Sequence, residues 1–161
     1  MNYRLFCLLS LCFVGLCLTS HPVAAQQEKQ QRPNILLITA DNLGYGDLGC
    51  YGNKVMQTPR LDQLAREGAR LTDFYTASPT CTVSRATLLT GRYPQRIGLN
   101  HQLSADENYA DGLRQSERLI PQYLKPQGYR TACFGKWNVG FSKGSRPTER
   151  GFDEFFGFAA G

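Results

Sequence analysis

The longest apolar run, Leu5 to Leu18, follows a single positive charge in Met1–Arg4 and precedes the small residues Val23, Ala24 and Ala25. That is the build of a secretory signal peptide, and the run is shorter than the ~20 residues a spanning helix needs. Residues 1–25 therefore read as a cleaved leader, Gln26 as the mature start, and the destination as secreted or periplasmic, with no stable membrane insertion. Residues 26–32 are polar and glutamine-rich, a flexible lead-in. After Pro33, the short continuous run Ile35 to Ala40 reads as a buried parallel strand. It delivers Asp41 and Asn42 to the strand's C-terminal edge, where open α/β sheets bind ligands.

Thr58 to Gly68 then shows a helical pattern. Thr58 caps it, Pro59 takes the first turn, Leu61, Leu64 and Ala65 share a face, and Gly68 ends it. Ala69 to Tyr75 reads as a second strand. A second helix is expected over Cys81 to Thr90, bounded by Thr80 as N-cap and Gly91 as stop. Ile97 to Gln115 has little periodicity and reads as a long surface loop near the site. Pro121 starts a short helix to about Pro126, with Ile120 and Leu124 facing inward. Tyr129 to Phe134 forms a third strand, which carries Gly135-Lys136-Trp137-Asn138 to the same edge as Asp41. The order of elements predicts an α/β fold: a mostly parallel sheet with helices on both faces.

The helix over Cys81–Thr90 gathers the most chemistry. Cys81 falls in its first turn, where unpaired N–H groups and the helix dipole favour negative charge. Arg85 lies one turn above it on the same face. A nucleophile, a guanidinium and a helix start together suit a tetrahedral oxyanion.

Composition narrows the partners. The net charge of +5 on 161 residues is mild and scattered, without the dense basic stripe that nucleic acid requires. Gly44-Tyr45-Gly46-Asp47-Leu48-Gly49 matches GxGxxG after a strand, but Cys50-Tyr51-Gly52-Asn53 follows it with a loop composition where a phosphate-binding helix is needed. A Cys-x5-Arg phosphatase loop is excluded, because Thr87 stands six positions after Cys81. Of six cysteines, Cys7, Cys12 and Cys17 leave with the leader. The odd remainder of Cys50, Cys81 and Cys133 gives one cysteine other work or an intermolecular bond. Cys50 and Cys133 are either a disulfide or two buried thiols. There is no CxxC, and His101 stands alone as an ordinary loop histidine.

Cys81, Ser84 and Arg85, followed by Leu88-Leu89-Thr90-Gly91-Arg92, resemble the active-site motif of the sulfatase family. Asp41 to Gly49 is similar to the segment in which that family begins with two metal-binding aspartates, with Asn42 in the second place. Gly135-Lys136-Trp137-Asn138 resembles its Gly-Lys-Trp-His stretch, with Asn138 in place of histidine. Arg150 to Gly157 resembles a further recurrent segment, read as structural. Val83 stands where proline or alanine is usual.

The resemblance implies a sulfatase-like member of the alkaline phosphatase superfamily. Residues 33–161 would be the N-terminal part of a longer catalytic domain, with the fold incomplete here and this stretch inactive alone. It implies hydrolysis of a sulfate ester, in a sulfated small molecule or glycan. Cys81 would be oxidised to formylglycine by a formylglycine-generating enzyme. The implied catalytic residues are Cys81, Arg85, Lys136 and Asn138. The implied metal ligands are Asp41, Asn42 and Cys81 (as formylglycine), and the hard oxygens make Ca2+ the expected ion. A related phosphatase or phosphonate hydrolase, or a non-catalytic ligand-binding descendant, remains as an alternative.

Overall fold

The computed structural model describes residues 32–104 and 112–160, so the leader lies outside the described residues. The chain divides into two units, residues 1–39 and 40–161. In the first unit, residues 32–39 adopt neither helix nor strand, and Ile35, Leu36, Leu37 and Ile38 are exposed. The strand expected from this run is thus not formed. A parallel strand exists only through ladder hydrogen bonds, and the described sheet contains no partner for it.

In the second unit, 3₁₀ turns at Tyr45–Asp47 and Gly49–Tyr51 precede α1 (Pro59–Glu67), α2 (Cys81–Thr90) and α3 (Pro94–Ile97). Helix α4 (Ile120–Leu124) runs on into a 3₁₀ turn at Lys125–Gln127. Strand β1 (Ala132–Lys136) follows, then a 3₁₀ turn at Pro147–Arg150 and strand β2 (Glu154–Phe158). The two strands pair in parallel, with Ala132 opposite Glu154 and Lys136 opposite Phe158. Strand β2 has no counterpart in the sequence reading, and β1 begins three residues later than expected. At Gly157 only a hydrogen fits, because a Cβ there would stand 2.0 Å from the Gly135 carbonyl oxygen.

The expected strand over Ala69–Tyr75 is also absent. Its backbone groups bond to tyrosine hydroxyls where a strand would offer a ladder. Tyr45 Oη donates to the Phe74 carbonyl at 2.7 Å and accepts from the Phe74 N–H at 2.6 Å. Tyr51 Oη donates to the Leu71 carbonyl at 2.7 Å.

Helix α2 forms over its expected span. Its first ladder bond runs from Ser84 N–H to the Thr80 carbonyl, and Gly91 closes it in the left-handed region at φ 66°. Thr82, Val83, Ala86 and Thr87 form its buried face. The Thr80 side chain caps nothing; its hydroxyl pairs with that of Ser78.

Ala86 packs into a core with Trp137, Val139 and Phe141 from the segment after β1. Ile97, Leu99, Leu103 and Leu113 belong to the same core. The stretch expected as a surface loop is therefore partly interior. Its apolar residues are irregularly spaced because no regular element carries them, so no period announces their burial. At α4, Pro121 and the preceding Leu119 are buried while Ile120 and Leu124 are only half-buried, one residue out of the expected phase.

Arg150 is the polar tie in this core. Although 2% exposed, its guanidinium donates to the carbonyls of Leu113, Arg114 and Glu117 at 3.0, 3.1 and 2.8 Å. Leu113 N–H in turn donates to the Val139 carbonyl at 2.9 Å. Burying a guanidinium is tolerable only with its donors used in this way.

Asp153 joins β2 to the start of β1. It accepts from Thr131 N–H at 2.8 Å and Thr131 Oγ1 at 3.0 Å, and pairs with Lys125 Nζ at 2.8 Å. The Lys125 hydrogen bond, then that of the Thr131 amide, lowers its pKa from 3.8 to about 2. A depressed carboxyl contributes stability that is complete above its ordinary pKa and is lost as pH falls through the folded value. Asp153→Asn should thus be less stable than the native chain at pH 7. The difference should shrink as pH falls from 3.8 towards about 2. Thermal melts across that range check it.

Candidate active site

The site lies where the N-terminus of α2 meets the end of β1. The contact is direct, since Arg85 Nη1 donates to the Lys136 carbonyl at 2.7 Å. This bond uses the last residue of β1 to fix the guanidinium one turn above Cys81. Its other arm, Nη2, reaches Asp41 Oδ2 at 3.4 Å, and Lys136 Nζ approaches the same oxygen at 3.3 Å. Asp41 is thus held between two cations.

Cys81 Sγ has two amide neighbours. Asn138 Nδ2 donates to it at 3.1 Å, and the thiol donates to Gln102 Oε1 at 3.2 Å. Asn138 is 1% exposed and sits in the left-handed region at φ 57°. Asparagine is among the few non-glycine residues that take this conformation readily. Asn42, at φ 60°, does the same beside Asp41.

The charges bias the titrating groups. Burial pushes the Cys81 thiol up, but Lys136 and then the Thr82 amide hold it below the ordinary cysteine value of 9.0. Burial likewise raises Asp41, and Lys136 followed by Arg85 outweighs it, leaving the carboxyl below 3.8. Cys133 is pushed up by burial, partly offset by Arg85. Cys50, Cys81 and Cys133 are all free thiols, so the Cys50–Cys133 disulfide is not formed.

Five of the expected site residues are therefore brought together: Asp41, Cys81, Arg85, Lys136 and Asn138. Asn42 adjoins them in the chain but makes no hydrogen bond among the described residues. For a metal, the donors fit in kind: the Asp41 carboxylate and the Asn42 amide are hard oxygens suited to a hard divalent cation. They fall short of the about six to eight oxygens that calcium takes, and no cluster of three or more His, Cys, Asp or Glu occurs among the described residues. His101 remains outside the set.

Gln102 is the residue the sequence reading missed. It lies in an aperiodic stretch, and only the fold carries it to α2. Two bonds dock that stretch on the first turn: Thr82 N–H donates to Gln102 Oε1 at 3.2 Å, and Leu103 N–H donates to Thr82 Oγ1 at 3.3 Å.

Residues 33–161 match the Sulfatase family. The chain belongs to the sulfatase family. It is 49% identical over 138 residues to the steryl-sulfatase of Mus musculus, covering 78% of this chain and 22% of that one. Among solved structures it is similar to Ps i-CgsB in complex with k-i-k-neocarrahexaose. There the identity is 42% and the TM-score 0.77, covering 81% of this sulfatase chain and 29% of the other. A structure solved with its substrate D-glucosamine-2-N,6-O-disulfate gives 31% identity and a TM-score of 0.64, over 78% and 23% of the two chains. These neighbours are sulfatases of the alkaline phosphatase-like fold. The chain spans 22–26% of the length of the first curated relatives it matches.

Lys136 lowers the Cys81 pKa by its hydrogen bond and then by its charge, so Lys136→Met should raise the pKa of the thiol. Alkylation of Cys81 at pH 7.5–8, followed by peptide mass, should slow in that variant. Alkylation of Cys50 should not change.

Proposed function

We propose that this chain supplies the nucleophile-bearing part of a sulfatase that hydrolyses a sulfate ester, with Cys81 converted to formylglycine. The observation that carries the reading is the placement of Cys81 Sγ. It lies at the N-terminus of α2, with Asn138 on it and Lys136, Arg85 and Asp41 alongside. The converting partner is a formylglycine-generating enzyme, which oxidises Cβ of Cys81 by two electrons with an oxidant it supplies; the C–S bond breaks, sulfide leaves and oxygen takes its place.

A thiol is a poor nucleophile for this task, since attack on sulfur leaves a thiosulfate-like adduct with no internal route to release. A hydrated aldehyde carries two hydroxyls on one carbon. One attacks sulfur and displaces the alcohol; loss of the proton from the other re-forms the aldehyde and releases sulfate. Lys136 and Arg85 hold the sulfate oxygens as negative charge moves onto them. Asn138 donates a hydrogen bond to residue 81 and orients it, but cannot exchange a proton near neutral pH. Asp41 and Asn42, with the oxygen of residue 81, are the residues to hold a divalent ion, proposed as Ca2+. When bound, that ion supplies Lewis-acid stabilisation of sulfate oxygen.

The substrate class is a sulfated glycan or small molecule. The k-i-k-neocarrahexaose and D-glucosamine-2-N,6-O-disulfate held by two related structures support it. Export through a leader cleaved after Ala25 belongs to the same reading. No described helix is long and apolar enough to cross a membrane. Amino-terminal sequencing of the exported protein should begin at Gln26.

Asn138, where the family motif has a proton-exchanging histidine, favours a second reading, a descendant that binds sulfated ligands without turnover. Tryptic mass spectrometry of the full-length exported protein separates the two. Conversion makes the Cys81 peptide lighter and blind to alkylation, whereas a peptide still alkylatable in a competent host supports binding alone. Val83→Pro should raise the converted fraction. Position 83 is the third residue of α2, where the N–H has no ladder partner, so proline costs no hydrogen bond.

A further inference from the structure

Gln102 touches the reacting position with a polarity that the structure fixes. Its side-chain oxygen and nitrogen are interchangeable in shape, but the Thr82 N–H can only donate. The atom that faces it at 3.2 Å is therefore Oε1. The same oxygen lies 3.2 Å from Cys81 Sγ, so it accepts there too. Asn138 approaches Sγ from its own nitrogen, as a donor, at 3.1 Å. Residue 81 thus sits between a fixed acceptor, Gln102, and the Asn138 donor, with the Lys136 ammonium on the donor side as well. Leu103 N–H on Thr82 Oγ1 holds the Gln102 backbone against the same turn of helix, so the acceptor is not free to withdraw.

That pair discriminates between the two states of a formylglycine. Sγ marks the place of an oxygen on Cβ after conversion. An aldehyde oxygen can take the hydrogen bond from Asn138 but has no hydrogen for Gln102, and leaves that acceptor facing a lone pair. A hydroxyl of the hydrate satisfies both. We propose that Gln102 is a further catalytic residue, the acceptor that holds residue 81 in its hydrated form. Hydration balances without a redox partner: water oxygen bonds to Cβ, the carbonyl π bond breaks, and one water proton passes to the former carbonyl oxygen. The inference rests on the sulfatase reading above only for the converted residue; the polarity itself concerns the thiol as well.

Two measurements test it, one for each state. In the unconverted chain beginning at Gln26, on a Cys50→Ala/Cys133→Ala background, the infrared S–H stretch of Cys81 should lie at the lowered frequency of a donating thiol. It should rise in Gln102→Leu and stay low in Gln102→Glu, which keeps an acceptor. In the converted full-length protein, an aminooxy probe reacts only with the free aldehyde. Gln102→Leu should label faster by about fivefold, the weight of one ordinary hydrogen bond, while Gln102→Glu labels at the native rate. Circular dichroism of each variant reports whether the fold is intact. An S–H band indifferent to Gln102→Leu overturns the polarity. Equal labelling of the native and Gln102→Leu proteins overturns the hydrate preference while leaving the sulfatase reading standing. A full-length protein with no formylglycine overturns that reading and the hydrate preference together, and the S–H band still decides the polarity.

Discussion

The bond from Arg85 to the Lys136 carbonyl ties the two halves of the site, and nearly everything else there depends on its geometry. Arg85 belongs to α2 and Lys136 to β1, and the two residues are 51 positions apart in the chain. A single charge-assisted bond of 2.7 Å sets how far the helix start stands from the strand end. With that distance fixed, Asn138, two residues beyond the strand end, reaches Cys81, and the Lys136 ammonium shares Asp41 with the guanidinium. The bond is protected from both sides. Ala86 and Val83 turn the helix's apolar face inward, and Trp137, next to Lys136, is buried with its indole N–H on the Ser145 carbonyl at 2.9 Å.

The cationic pair around Asp41 also shapes the chemistry. One carboxylate at 3.3 and 3.4 Å from two cations neutralises only part of their charge. The remainder is available to an anion, and Lys136 already pulls the Cys81 thiol downward against burial. Asp41 is 42% exposed, so solvent weakens its hold on the pair, and neither ion pair is a strong structural tie.

Sequence alone located α2 with both of its ends, because a C-terminal glycine and a compact apolar face act locally; the start fell where expected although the Thr80 side chain caps nothing. The same locality put Arg85 above Cys81. Strands were read less well. The runs Ile35–Ala40 and Ala69–Tyr75 have strand composition, yet a strand is a relation between chains, and tyrosine hydroxyls or solvent meet their backbone groups here. Strand β2 was missed because Glu154-Phe155-Phe156-Gly157-Phe158 lacks clean alternation; Phe156 and Phe158 are exposed and Gly157 is there to admit the Gly135 carbonyl. Gln102 had no local signal, since its role follows from where Leu103 and Leu99 are buried. At Asn42 and Asn138 the sequence showed departures from a family pattern; the structure adds that both stand at positive φ, a demand on the backbone that asparagine meets.

The paired phenylalanines of the sheet carry a practical weight. Phe134 and Phe156 stand opposite each other in the register, 71% and 79% exposed, on a two-stranded sheet whose outer edges are unpaired among the described residues. An apolar, β-rich surface of this kind adheres to its like. For residues 1–161 taken alone, colloidal behaviour is therefore set by a different part of the sequence from the one that sets chemistry. Light scattering at rising concentration, more than any melting curve, will respond to charge placed at Phe134 or Phe156, and a soluble form for biophysics can be sought there without touching the ring of groups around Cys81.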